Sequence, residues 1–344
     1  IEVFVWDVMP IMDSHGLEND PFFFYFEQGE NKIRLQMINE VIAIDSIHLY
    51  QHPKQESYVK PAAESELSGI LEIFQAEFTN LKSSAILYPT EDRGDPAIMT
   101  SHPFLVRYNT IGRNTFMHPK QWITWQIDVP AAGYYSIAFK VRQNAQRGMF
   151  SSRRIYINGA VPFDEMNKVE FPFGIRWYTQ VLGSEQPYLF YLNEGINEIK
   201  MEVVTGDIAE PLRELEEILF ELNTWYRKII MITGSNPDSS RQTIDVNRDF
   251  LLDQKIPGLI EGFENLALRL GQVKSTIDKI SFEDGNTASF IDEIVLQLEQ
   301  FVSRPDTIPR RIDHYKGNVS SLSYTILQMR EQPLEIDYIA VFSP

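Results

Sequence analysis

The sequence predicts an antiparallel β-sandwich of the jelly-roll kind, interrupted by an inserted four-helix bundle and preceded by part of a second jelly roll. Three observations carry this reading. First, Leu334 to Phe342 reads as a closing strand, with apolar Leu334, Ile336, Ile339 and Val341 changing phase once at Asp337 and Tyr338. A near copy runs from Ala43 to Tyr50 at a constant offset of 292, so that Asp45 matches Asp337, Ile44 matches Ile336 and Ile47 matches Ile339. Second, Asp20 to Met37 matches Gln186 to Val203 at an offset of 166; Pro21, Tyr25, Gly29, Asn31 and Ile33 recur as Pro187, Tyr191, Gly195, Asn197 and Ile199. Third, the two offsets differ by 126, and the extra residues of the second copy, between Thr205 and Pro333, repeat their apolar positions at helical period.

In chain order, residues 1–52 hold Trp6, a strand pair around a turn that Gly29 and Asn31 make possible, and the first closing strand. This is the carboxy-terminal part of a jelly roll, and three strands cannot bury two faces. The expectation is that its opening strands lie upstream, that the start at Ile1 marks a mature or excised segment, and that the remnant leans on its neighbour. Residues 53–69, with Pro53 and Pro61, read as a linker ending in a short helix.

The second β-domain spans 70–205 plus 334–344. Strands are expected at Ile70–Glu77, at Phe104–Tyr108 after a loop containing Asp92, Gly94, Asp95 and Pro96, and at Trp122–Val129. Further strands are expected at Tyr134–Val141, at Arg153–Ile157 leading into the hairpin signal Asn158-Gly159, at Trp177–Leu182 and at the repeat pair. Gly112 and Gly148 read as loop residues.

The insertion, 206–333, traces four helical faces. The first runs through Leu212, Leu215, Leu222 and Ile229, the second through Ile260, Phe263, Leu270 and Ile277. Thr287 is the N-cap expected for the third, through Ile291, Ile294, Leu298 and Phe301, and Pro309 opens the fourth, through Ile312, Tyr315, Leu322 and Ile326. An even number of antiparallel helices returns the chain to where it left, as insertion between neighbouring strands requires. The apolar run Tyr226–Thr233 either packs against the sandwich or docks a partner domain.

Composition bounds the function. The 344 residues are 43% apolar and 12% aromatic, enough for real cores. No window reaches the roughly 18 uninterrupted apolar residues of a membrane span, and no signal peptide is expected within these residues. A formal charge of −17 repels nucleic acid and anionic lipid. Absence of cysteine excludes disulfides, thiolate metal sites and a cysteine nucleophile. The six histidines form no metal-spaced cluster, no phosphate loop or nucleophile elbow is present, and no context singles out a carboxylate pair among 48 acids. The expectation is therefore a protein that is not an enzyme.

The ordered set Trp122-Ile123-Thr124-Trp125, Val129-Pro130-Ala131-Ala132-Gly133-Tyr134, Arg142-Gln143-Asn144, Ile157-Asn158-Gly159, Trp177, Gly195-Ile196-Asn197 and Ile336-Asp337-Tyr338-Ile339 resembles carbohydrate-binding modules of families 6 and 35, within the galactose-binding-like jelly rolls. The whole arrangement resembles the amino-terminal region of long Gram-positive extracellular solute-binding proteins of sugar ABC transporters. The phrases that carry this are Ile111-Gly112, Phe150-Ser151-Ser152-Arg153-Arg154, Tyr226 to Gly234 and Gln332-Pro333-Leu334-Glu335-Ile336-Asp337-Tyr338.

The first resemblance implies a structural calcium held by Gln75, Glu77 and Asp337, oxygen ligands of the kind Ca²⁺ prefers. The alternative is an edge-strand Gln, a solvated Glu and an Asp bonded to a loop. It also implies sugar contacts at Tyr108, Asn109, Asn144 and Trp177, an aromatic platform with amides for hydroxyls, and at Arg176 for an acidic sugar. The alternative is that Trp122, Trp125 and Trp177 are core residues and Asn144 caps a turn; for Trp122 and Trp125 it must hold for at least one, since adjacent strand positions alternate faces.

The function implied is a non-catalytic carbohydrate-binding module of a lipoprotein on the outer surface of a Gram-positive cell. Its partners would be an oligo- or polysaccharide and the membrane permease or a solute-binding domain of the same chain. The alternatives are a structural spacer and an accessory module of a polysaccharide-degrading enzyme.

Overall fold

The computed structural model describes residues 8, 10–14, 16–36, 43–51, 55–62, 67–99, 102, 104–234, 249–281 and 288–344. The expectations for Trp6 and Thr287 lie outside the described residues, as does the expected short helix where it falls on 63–66.

Among the described residues eleven strands and five α-helices follow in order: β1 Leu71–Gln75, β2 Pro89–Thr90, β3 Thr110–Arg113, β4 Trp122–Val129, β5 Gly133–Arg142, β6 Phe150–Ile157, β7 Val169–Pro172, β8 Tyr178–Val181, β9 Phe190–Leu192, β10 Gly195–Val204, α1 Ala209–Thr233, α2 Leu252–Lys255, α3 Leu259–Ile280, α4 Ser289–Ser303, α5 Ile312–Arg330 and β11 Leu334–Phe342. All ladders are antiparallel. One sheet runs β2-β3-β11-β5-β8, with β1 also on β11 and β9 also on β5; the other runs β4-β10-β6-β7. Their inner faces enclose Ile111, Trp125, Ile137, Phe139, Ile155, Ile199, Met201, Ile336 and Ile339. The sheet alternation that predicted β4 holds, because Ile123, Trp125 and Ile127 are buried while Gln126 and Asp128 face out.

β11 is the organising strand. β1 and β3 share one of its edges and β5 takes the other. The phase change read at Asp337 is a β-bulge between Ile336 and Tyr338 on the β5 side. Two strand assignments change. Phe104–Tyr108 forms no strand; Phe104, Val106 and Tyr108 are exposed, and the ladder begins only at Thr110. Gly112 lies inside β3 rather than in a loop. Its φ is +114°, and a Cβ there would stand 2.1 Å from the Leu334 carbonyl oxygen, an approach only glycine permits.

In the insertion α1 lies against α3 and α5, and α4 lies against the same two, which closes a four-helix ring. Phe263, Phe301 and Tyr315 meet at its centre, and the Tyr315 hydroxyl donates to the Leu222 carbonyl at 2.9 Å. The run Tyr226–Thr233 packs within the bundle, not on the sandwich: Ile229 is fully buried in the helical core and Tyr226 stacks on Tyr315. Where the chain leaves β10 and re-enters β11, residues of β6 clasp the junction. Ser152 N donates to Gln332 Oε1 at 3.0 Å, Ser151 Oγ donates to the Pro333 carbonyl, and buried Arg153 donates to the carbonyls of Ser152, Phe116 and Gln332 at 2.9, 3.0 and 2.6 Å.

Among the described residues before Leu71 there is no strand. A strand is defined by its ladder, and among the described residues 20–36 and 43–50, where a hairpin and a closing strand were expected, enter none. The expected lean on the neighbour is present. Leu17 enters the bundle core, Thr205 Oγ1 donates to its carbonyl at 2.6 Å, and Arg154 pairs with Asp20 at 2.8 Å. The linker also lies on the sandwich: Tyr58 packs against Phe163 and Tyr188, its N–H donates to Glu165 at 2.8 Å, and Gln55 donates to the Val161 carbonyl at 2.7 Å.

Candidate functional site

Two polar clusters sit on β11 and both are built by pairing across it. The first surrounds Asp337. Its backbone carbonyl accepts from Ala76 N at 3.0 Å, and the Ala76 carbonyl accepts from the Trp125 indole at 2.8 Å. These bonds hold the end of β1 on the bulge and bring Gln75, Glu77 and Asp337 together. All three are withdrawn from solvent, Asp337 completely. Gln75 Oε1 and Glu77 Oε2 are buried without a hydrogen-bond partner. Asp337 is better served: the Lys140 ammonium stands on Oδ2 at 2.9 Å, and Oδ1 accepts from Met99 N at 3.3 Å.

Burial pushes the Glu77 carboxyl above its usual range, a hydrogen bond at its own backbone opposes this, and the charge of Asp337 adds to the rise. Burial also raises Asp337, against the pull of Lys140 and of the Met99 N–H. Two buried oxygens without partners, on Gln75 and Glu77, beside two carboxylates whose ionisation burial disfavours, are what an oxygen-preferring cation would satisfy. The fit is partial, because the Lys140 ammonium already stands on Asp337 and also donates to the Ala97 carbonyl. Among the described residues no group of three or more His, Asp or Glu is arranged for a metal ion; this cluster has two carboxylates and an amide.

The second cluster gathers the loops at the end of the sandwich where β5 finishes and β11 begins. Arg142 lies between Asp92 at 2.5 Å and Glu335 at 2.6 Å, and its guanidinium stacks on the Trp177 ring at 4.7 Å. The Trp177 indole donates to Asp92 Oδ2 at 3.0 Å, and Thr110 Oγ1 donates to Glu335 Oε1 at 3.2 Å. Burial would raise Asp92, but the Gly94 N–H, the indole and Arg142 outweigh it and hold this carboxyl below its usual range. The Asn109 amide bonds both ways with the Asp92 backbone, at 2.9 and 3.0 Å, and Gly174 N donates to the Gln143 carbonyl at 2.7 Å. The loop residues around Asp92 and Asn109, those at 143–149 and those at 173–177 are thereby fixed side by side.

Of the sequence candidates, Asn109 is buried, and so is Trp177, with one ring face under Arg142 and its N–H engaged. Both hold the loops. Tyr108, Asn144 and Arg176 are exposed on the same loops. The sequence reading gave no role to Asp92, Lys140, Arg142, Arg153 or Glu335. The signal available for Glu335 and Asp337 was their alternation with apolar residues in a strand whose inner face is otherwise aliphatic.

Comparison with known proteins gives three results. Residues 210–331 match the family described as "Bacterial solute-binding protein, 4-helix bundle domain". No curated protein matches the chain. Among solved structures, a family 35 carbohydrate binding module from Clostridium thermocellum is 19% identical, covers 40% of this chain and 88% of its own, with a TM-score of 0.27. A family 35 module from Paenibacillus barcinonensis is 16% identical, with 39% and 88% coverage and a TM-score of 0.26. A family 35 module of Abf62 from Cellvibrio japonicus is 14% identical, with 39% and 82% coverage and a TM-score of 0.27. No described helix is long and apolar enough to cross a membrane.

Proposed function

We propose, from the premise that residues 210–331 carry the helical domain of bacterial solute-binding proteins, that this chain is the non-catalytic, glycan-holding region of a cell-surface sugar-uptake lipoprotein. The observation that carries the reading is the loop end of the sandwich, where Asp92 and Arg142 lock a scaffold that presents Tyr108, Asn144 and Arg176 to solvent on adjacent loops. A rigid platform offering a phenol ring, an amide and a guanidinium suits a sugar's C–H face, hydroxyls and carboxylate. The bundle stands at the same end, since Gln146 donates to the carbonyls of Gln328 and Glu331 at 2.6 and 2.5 Å. Bound glycan would thus lie beside the helices, and the remaining partners, the permease or a solute-binding domain, would be reached through them.

A glycan array with uronate-containing and neutral oligosaccharides tests this. Saturable binding is expected, weakened about tenfold by Asn144→Ala or Tyr108→Ala, with Arg176→Ala selective for acidic sugars. The second reading is a spacer, favoured by Asn109 and Trp177 being committed to internal bonds; it stands if no sugar binds at millimolar concentration.

The same reading includes a structural calcium at Gln75, Glu77 and Asp337, supported by the partnerless oxygens of Gln75 and Glu77. The ion would hold the end of β1 on the β11 bulge and leave both carboxylates ionised. Its rival is the Lys140 ammonium acting as the cation of this cluster, supported by the 2.9 Å pair.

A further inference from the structure

The amino-terminal segment carries the same turn as the complete β-domain, atom for atom. Asn31 Oδ1 accepts from Glu27 N at 3.2 Å, and its Nδ2 donates to the carbonyls of Glu27 and Gly29 at 2.8 and 3.2 Å. At the offset of 166, Asn197 Oδ1 accepts from Asn193 N at 3.0 Å and its Nδ2 donates to Asn193 and Gly195 at 2.7 and 3.1 Å. Gly29 and Gly195 both take positive φ, 118° and 85°. The repeat is therefore a repeat of structure, and it says what each residue of the first copy is for.

Transferred through the offsets, Phe24 and Phe26 correspond to Phe190 and Leu192 of β9, Ile33 and Leu35 to Ile199 and Met201 of β10, and Ile44, Ile47 and Leu49 to Ile336, Ile339 and Val341 of β11. Every one of the second set is a core residue at 2% exposure or less. Every one of the first is exposed, from 39% for Phe26 to 66% for Leu49. The outward position agrees too, since Tyr25 and its counterpart Tyr191 are both exposed. A row of side chains patterned for a two-sheet core, held in a preformed strand turn and left in water, is an incomplete core rather than a solvated loop.

We propose that residues 24–36 and 43–50 belong to the last three strands of a second jelly roll, and that their partners are strands equivalent to β1 and β3–β6, lying earlier in the same polypeptide. The occupant follows from the register. In the complete domain β10 pairs with β4 and β6, β11 with β1, β3 and β5, and β9 with β5, and every one of these partner strands precedes β9 in the chain. A second copy of residues 1–344 lacks the same strands and cannot supply them. The completed protein is then two tandem sandwiches, with the linker at 55–62 already seated on the second.

Hydrogen–deuterium exchange on the polypeptide as its own cell makes it, set against residues 1–344 alone, tests this. Amides of 24–36 and 43–50 are expected to exchange at least a hundredfold more slowly in the native polypeptide, and Leu35→Asp or Ile47→Asp is expected to lower its melting temperature. In residues 1–344 the same substitutions should leave the melting of the sandwich and bundle unchanged. Equally fast exchange in both overturns the proposal. Protection already present in residues 1–344, or lost when a separate chain is removed by gel filtration, overturns it as well.

Discussion

Arg153→Met is expected to cost about 2–4 kcal/mol of folding free energy, roughly 5 to 15 °C in melting temperature for a unit of this size. Arg153 is fully buried on β6 and has no carboxylate partner among the described residues; burial pulls its pKa down to about 9, so it is charged at neutral pH. Its guanidinium rests on the Phe116 ring at 4.6 Å and serves three backbone carbonyls, those of Ser152, Phe116 and Gln332. Removing the charge relieves its desolvation, which acts in the protein's favour. Methionine, however, leaves buried carbonyls without their donors, each worth about 1–3 kcal/mol, and this outweighs the relief. The Gln332 carbonyl is where α5 hands the chain back to β11, so the loss falls on the seam between bundle and sandwich. Arg153→Lys should be no better than methionine, because one strongly hydrated ammonium cannot spread a planar fork over three acceptors. Urea unfolding of the variants checks this; a methionine variant within about 0.5 kcal/mol of the parent would sink the argument.

What the sequence showed was what repeats and periods can show. The closing strand, its irregularity at Asp337, the strands from Trp122 to Ile157 and the four long helices were legible because burial leaves a period of two or of 3.6. β7, four residues ending in Pro172, was too short to leave one. Phe104–Tyr108 looked like a strand on apolar content, but no neighbouring strand is there to pair with it, and the true β3 hid behind Gly112. The sites divide in the same way. Gln75, Glu77 and Asp337 could be named by resemblance, and they do converge. The charges could not, neither Lys140 beside Asp337 nor Asp92, Arg142 and Glu335 at the loop end, because they come from three separate stretches of the chain, the 91–99 loop, β5 and β11, and meet only once β5 and β11 are paired. Ser151, Ser152 and Arg153 read as a polar stretch of a strand; their role appears only when α5 returns Gln332 and Pro333 beside them.

The second large effect expected is a calcium-dependent melting temperature whose pH dependence reverses when the ion is removed. Without metal, Glu77 and Asp337 titrate above their ordinary values of about 4.3 and 3.9. As pH falls, the folded state takes up protons before the unfolded chain does. It gains stability from the raised folded values downward, and the gain is complete below the unfolded values. A bound ion holds both carboxylates ionised and places their folded values below the unfolded ones, so stability is then lost on acidification. The curves in CaCl2 and in EGTA should therefore stand furthest apart near neutral pH and converge toward about pH 4. At a calcium concentration a hundredfold above Kd the separation is about 2.7 kcal/mol. Asp337→Asn should remove both the separation and the acid-side gain in EGTA that Asp337 contributes, which distinguishes this site from the general easing of repulsion in a chain of charge −17. If the two curves coincide at neutral pH, calcium is not bound, and Lys140→Met decides what holds the cluster. A large loss that calcium does not restore assigns the cation's part to the Lys140 ammonium, whose pair with Asp337 then joins β5 to β11 from within the protein.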